Sequence, residues 1–279
     1  QDSCRCAVSG DRTSQRFYGM LAEYQKRRLY FAVGGITVTL NFAHRGFSGQ
    51  FPENTMLAFE KAVEAGADGI ELDVQFSKDG ELVIMHDETL NRTAGVDGFV
   101  KDYTLEQLKA MDVSGKWGDR YGSMEIPTLR EYFEHFKDLP VITNIELKTG
   151  IFPYPGIEER TLEMIREYEL ENKIIISSFN HYSCLKMKEL DEKMPCGLLE
   201  ESWIVGAGKY GRKLGMDFLH PAYPMVTESY VQDAADHGLK VNTWTVNDWD
   251  SMEYFAKIGV NAIIGNFPDL AEKALNPYR

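Results

Sequence analysis

The sequence is short of cysteine, of long apolar runs and of positive charge. Four cysteines (Cys4, Cys6, Cys184 and Cys196) in 279 residues are too few to frame a disulfide-stapled fold. Cys4 and Cys6 have the spacing of half a metal site, but no second half follows, so they read as free thiols. No run of ~18 apolar residues occurs, so no membrane-spanning helix and no stable membrane insertion is expected. Lys and Arg number 30 against 43 Asp and Glu, a formal net charge of −13 at pH 7. A surface that acidic argues against general nucleic-acid binding. An anionic substrate must then be drawn by local cations or a bound metal. Neither G-x-G-x-x-G nor G-x-x-x-x-G-K-[ST] is present, so both common nucleotide loops are missing.

What is there reads as ordinary globular chain, with 43% apolar and 26% charged residues. Residue 1 is glutamine, as expected of a processed start or of numbering taken from inside a longer chain. Residues 1–35 are polar and basic, with a short helix expected around Arg16–Arg28, and form an N-terminal extension of unknown role. Lys26-Arg27-Arg28 followed by residues 29–40 faintly resembles the start of a signal peptide. Cleavage there would remove the first core strand, so the stretch reads as structural and the protein as cytoplasmic.

From Ile36 onward strands and helices alternate. Ile36–Ala43 reads as a strand and Asn54–Ala65 as a helix ended by Gly66. Gly69–Phe76 and Glu81–His86 are strands joined by the turn Lys78-Asp79-Gly80, which predicts a hairpin. Residues 88–127 are glycine-rich and mixed, with a helix at Thr104–Met111 opened by a Thr104/Gln107 capping box. Six further strand–helix units follow, starting with the strand Val141–Leu147 and closing with the strand Ala262–Gly265. Leaving out the hairpin arm, eight strands in about 240 residues predict an α/β fold, a (β/α)8 TIM barrel over 36–279. An open doubly wound sheet is the runner-up.

Barrels carry chemistry at the C-terminal ends of their strands. Strand one ends in His44-Arg45-Gly46, and the second strand holds Glu71 and Asp73. The arm ends in His86-Asp87, and the next strand holds Glu146 and Lys148. Residues two apart in a strand face the same side, so Glu71 with Asp73 and Glu146 with Lys148 each converge. Three carboxylates at one barrel mouth must be neutralised, either by salt bridges to Arg45 and Lys148 or by a metal. Oxygen-only ligands favour a hard divalent cation, Mg2+ or Ca2+. His44 and His86 suit acid–base work near neutral pH. Arg45 offers a bidentate fork for phosphate and Lys148 a point charge. Together these groups describe phosphoryl chemistry. His135 and His237 read as structural, His181 follows Asn180 at a strand-to-helix turn, and His220 is a candidate for lining the pocket.

Ala43-His44-Arg45-Gly46, Pro52-Glu53-Asn54-Thr55, Glu71-Leu72-Asp73-Val74, His86-Asp87 and Glu146-Leu147-Lys148, in that order, strongly resemble the glycerophosphodiester phosphodiesterase family. The resemblance runs over about residues 38–275. It implies a TIM barrel with a small insertion after the second strand, residues 88–127, that caps the substrate side. It implies hydrolysis of glycerophosphodiesters, such as glycerophosphocholine and glycerophosphoethanolamine, to sn-glycerol 3-phosphate and an alcohol. Glu71, Asp73 and Glu146 would be divalent-metal ligands, and His44 and His86 the acid–base pair. Arg45 and Lys148 would hold phosphate, and Trp244 would pack against glycerol. Glu53 and Asn54 would shape the first loop, with Asn54 also readable as a helix N-cap. The chain departs from the family at Gly265-Asn266-Phe267-Pro268, where Thr-Asp often precedes x-Pro.

The implied mechanism has one histidine deprotonating a glycerol hydroxyl or water and the other protonating the leaving alcohol. Which histidine does which, and whether a cyclic phosphate forms, stay open at this stage, as do monomer versus homo-oligomer and Mg2+ versus Ca2+. A related barrel phospholipase acting on lysophospholipids or phosphoinositides is one alternative, with Phe152-Pro153-Tyr154-Pro155 as an aromatic rim. A non-catalytic ligand-binding barrel is the other, disfavoured because both histidines and all three carboxylates are present.

Overall fold

The computed structural model describes residues 38–279. The helix expected near Arg16–Arg28, the Cys4/Cys6 pair and the first two residues of the expected first strand lie outside them. Eight parallel strands close into a barrel: β1 (Leu40–His44), β2 (Gly69–Phe76), β4 (Ile142–Leu147), β5 (Ile174–Ser178), β6 (Cys196–Glu200), β7 (Phe218–Pro221), β8 (Lys240–Trp244) and β9 (Ala262–Gly265). Pairing of β1 with both β2 and β9 makes the closure. The arm is β3 (Leu82–Ile84), antiparallel to the outer end of β2, as the Lys78-Asp79-Gly80 turn predicted. The open doubly wound sheet is thereby excluded.

Each barrel strand except β2 runs into a helix through a short loop, and the helices take their start signals from the sequence. Thr55, Thr128, Asn180, Thr227 and Asp248 each cap a helix by accepting a backbone N–H through the side chain. Among the described residues the first helix is Met56–Glu64, and its cap is Thr55 rather than Asn54. Asn54 sits at φ +55° and turns its amide into the barrel instead.

The main core lies between strands and helices and joins residues such as Phe59, Ile70, Leu72, Tyr132, Ile165 and Leu198. A small second cluster, Phe42, Ile175, Ala262 and Ile264, fills the inside of the barrel. The segment 88–127 and the arm together build a third core from Val83, Met85, Leu90, Val100, Leu108, Val113 and Ile126. Its helix Leu105–Lys109 carries the expected Thr104/Gln107 capping box. Among the described residues no helix is long and apolar enough to cross a membrane.

Candidate active site

Strand register assembles the carboxylates. His44 pairs across to Glu71, and Asp73 pairs directly across to Glu146. Neighbouring paired residues share a face, so β1, β2 and β4 aim these four side chains into the same mouth. One carboxylate oxygen from each of Glu71, Asp73 and Glu146 lies within 4.8 Å of the others. All three residues are buried, Asp73 completely.

Such crowding has electrostatic consequences. Burial, reinforced by the charges of Asp73 and Glu146, pushes Glu71 well above the usual carboxylate range. Burial and Asp73 likewise raise Glu146, against the pull of Lys148. Asp73 goes the other way: burial opposes ionisation, but Arg45, His86, Lys148 and an Asn54 hydrogen bond bring it down to about 2. The cluster by itself therefore favours holding a proton where a cation would otherwise sit. Asp73 Oδ1 is buried and accepts no hydrogen bond, an acceptor left free for such a cation. A set of oxygen donors with one orphaned carboxylate oxygen fits a hard divalent ion.

The expected cations are in place. Lys148 Nζ lies 2.8 Å from Glu146 Oε1 and 3.8 Å from Asp73 Oδ1. Arg45 Nε lies 3.5 Å from Asp73 Oδ2, and Arg45 Nη1 donates to Glu53 Oε1 at 3.0 Å. The Arg45 backbone N–H also donates to Glu71 Oε2 at 3.0 Å. Arg45 itself is at φ +56°, and Gly46 follows at φ +76°. A Cβ at Gly46 would come within 2.7 Å of the Ala58 backbone, so this close turn onto the first helix requires glycine. Asn54 Nδ2 donates to Asp73 Oδ2 at 2.8 Å, which makes Asn54 a support for the acid cluster and corrects its reading as a cap.

The two histidines are held differently. His44 Nδ1 is 2.7 Å from Asn266 Oδ1, so Nδ1 donates and Nε2 keeps its lone pair, 4.0 Å from Glu71 Oε2. Burial, with Arg45 adding to it and the Asn266 bond opposing, pushes His44 down to about 4. His86 Nδ1 instead donates to a carboxylate, Asp87 Oδ1, at 2.6 Å. Gln75 Nε2 pins the backbone there by donating to the carbonyls of Met85 and Asp87, both at 2.8 Å. Trp244 stands on the far wall, its Nε1 donating to the His220 carbonyl at 2.8 Å, with Phe179 edge-on at 5.5 Å.

Thus His44, Arg45, Glu71, Asp73, His86, Glu146 and Lys148 all meet, with Trp244 across the mouth. His220 is fully buried and accepts from Asn242 Nδ2 through Nε2 at 3.0 Å, so it does not line the pocket. His181 is structural, bonded to Tyr210 and to the Leu199 carbonyl. Asn54 as a support, Gln75, Asp87 and Arg92 were missed. Asp87 adjoins His86 and was within reach, whereas an isolated arginine in a mixed segment carries no sequence signal. Asn266 was visible only as a departure.

A (β/α)8 barrel with a carboxylate triad, two histidines and two cations at its strand C-termini defines a class, the barrel phosphodiesterases. The chain belongs to the glycerophosphoryl diester phosphodiesterase family, whose model matches residues 44–270. It is an enzyme, a phosphoric diester hydrolase. It is 45% identical over 231 residues to a glycerophosphodiester phosphodiesterase of Caldanaerobacter subterraneus, covering 83% of this chain and 95% of that one. A glycerophosphodiester phosphodiesterase of Bacillus altitudinis is 40% identical, over 85% of this chain and 98% of its own. Among solved structures, an Oleispira antarctica phosphodiesterase in complex with the product sn-glycerol-3-phosphate superposes with a TM-score of 0.77 at 30% identity, covering 86% of this chain and 97% of that one.

Proposed function

We propose that the chain hydrolyses glycerophosphodiesters of small alcohols, glycerophosphocholine and glycerophosphoethanolamine among them, to sn-glycerol 3-phosphate and the alcohol. The observation that carries this is the meeting of the buried Glu71/Asp73/Glu146 cluster with two differently supported histidines and two cations at one barrel mouth. Glu71, Asp73 and Glu146 would hold a divalent cation, Mg2+ or Ca2+. A cation held there would supply Lewis-acid polarisation of the phosphate and lower the pKa of a nearby hydroxyl or water. Arg45 and Lys148 neutralise charge growing on the phosphoryl oxygens. His44, partly buried and kept neutral against an amide, presents a free Nε2 lone pair and serves as the base. His86 is held in place by the Asp87 carboxylate and delivers the proton to the leaving alcohol. Trp244 gives the glycerol carbons an apolar face. The segment 88–127 caps the substrate side through the arm.

The test is a coupled assay of glycerol 3-phosphate release from both substrates, after chelation and again with Mg2+ or Ca2+ restored. The reading expects release only with metal; release of free choline without glycerol 3-phosphate, or no release, contradicts it. The assignment of roles is tested separately with an activated p-nitrophenyl phosphodiester, whose leaving group needs no proton. His86→Ala should lose far less on that substrate than on glycerophosphocholine, and His44→Ala should lose equally on both.

A second reading is favoured by one observation. Ile151, Phe179, Tyr182, Trp203, Val205 and Tyr223 are exposed, and all lie in or beside loops that follow barrel strands on the catalytic face. That is the expected placement for an enzyme meeting an acyl-bearing substrate such as a lysophospholipid. Turnover of lysophosphatidylcholine faster than of glycerophosphocholine would establish it.

A further inference from the structure

We infer that Arg92 is a positioning residue that ties the phosphate-facing Arg45 to the acid–base His86 through two carboxylates. Arg92 stands on the short helix Asn91–Ala94 of the inserted segment and is half exposed. Its guanidinium reaches four oxygens at once. Nε and Nη2 donate to Asp87 Oδ2 and Oδ1 at 2.6 and 3.0 Å. Nη1 and Nη2 donate to Glu53 Oε2 and Oε1 at 2.8 and 2.7 Å. Beyond Asp87 stands His86, at 2.6 Å, and beyond Glu53 stands Arg45, at 3.0 Å. A chain of paired groups thus runs His86, Asp87, Arg92, Glu53, Arg45 and Asp73.

The two carboxylates come from separate pieces of chain, Glu53 from the loop after β1 and Asp87 from the end of the arm. Like charges facing each other would part without a cation between them. A planar fork with five N–H groups can hold both; a lysine ammonium is a point charge and cannot make two bidentate pairs. With Asp87 fixed, His86 keeps one tautomer and one orientation. With Glu53 fixed, Arg45 keeps its reach toward the phosphate. The inference rests on the acid–base role proposed above for His86.

The experiment measures kcat, KM and cation affinity for Arg92→Ala, Arg92→Lys, His86→Ala and the pair Arg92→Ala/Asp87→Asn, with glycerophosphocholine as substrate. The expected result is a kcat lower by ~10–100-fold in Arg92→Ala, the range typical of residues that orient catalytic ligands. Arg92→Lys should regain less than about a tenth of the wild-type kcat, since charge without the fork is not enough. Added guanidinium ion should partly restore Arg92→Ala and leave Arg92→Lys unmoved, a response that loss of packing alone does not give. The pair should be no worse than Arg92→Ala alone. Cation affinity should stay at the wild-type value in all Arg92 variants. A kcat within about threefold of wild type in Arg92→Lys, where folding is least at risk, overturns the inference. Wild-type activity in His86→Ala instead overturns the proposed histidine role, so the two failures are told apart.

Discussion

The barrel has two polar walls, and they handle buried polarity in opposite ways. On the β1–β2–β4 side the buried groups are charged, crowded and incompletely satisfied: two carboxylates are raised and Asp73 Oδ1 has no donor. On the β7–β8 side they are neutral and uncrowded, although His220 Nδ1 also has no partner. Asn261 Nδ2 donates to Asn242 Oδ1 at 2.7 Å, and Asn242 Nδ2 donates to His220 Nε2 at 3.0 Å. Burial pushes His220 down to about 3, so this wall has no charge to change at any ordinary pH. Room for its ring comes from Gly197, where a Cβ would lie 2.4 Å from His220 Nε2. The contrast teaches that a buried histidine is not by itself a functional one. What marks function is ionisable groups held with their mutual repulsion unrelieved by the chain, which a substrate or cation can then relieve.

Mutations on the charged wall should act on chemistry, and mutations on the neutral wall on stability. The largest effect is expected for His86→Ala, a fall in kcat of at least ~10² with cation binding retained, read by steady-state kinetics and calorimetry. Glu71→Gln comes next: cation affinity drops by ~10–100-fold or more, and activity partly returns at high metal, seen in metal titrations of rate. A pH effect follows from the raised Glu71. Below its raised pKa a proton occupies the cluster and competes with the cation, so the apparent Kd should rise as pH is lowered from the neutral range. A Kd that stays flat as pH is lowered would remove the argument from crowding. The smallest effect on activity belongs to His220→Leu. It leaves Asn242 Nδ2 without its acceptor at a cost of about 1–3 kcal/mol, lowering Tm by several degrees while kcat of the folded enzyme holds within about twofold. A large kcat loss there would erase the distinction between the walls.

The alternation of strand and helix was legible because apolar period and cap residues agree locally. Thr128 with Glu131 and Thr104 with Gln107 announce their helices and make both halves of the capping box. The charged wall was legible because Glu71/Asp73 and Glu146/Lys148 break otherwise apolar strands at i and i+2, where a packed core would not place them. Asn54 misled, since Asn before a helix usually caps it; here the tight turn around Arg45 and Gly46 brings it to φ +55° and to Asp73. Arg92 was illegible because its meaning lies in where the third core puts it, and no local period encodes that placement. His220 was half legible: its strand was found, but its partner Asn242 on the next strand is a tertiary fact.

The central claim is that the charged wall is built around a divalent cation. Titrating Mg2+ and Ca2+ into chelator-treated enzyme by calorimetry, beside Glu71→Gln and His220→Leu, tests it most directly. The account predicts a single saturable site in the wild type, kept in His220→Leu and weakened at least ~10-fold in Glu71→Gln. No binding in the wild type, or equal binding in Glu71→Gln, would contradict it.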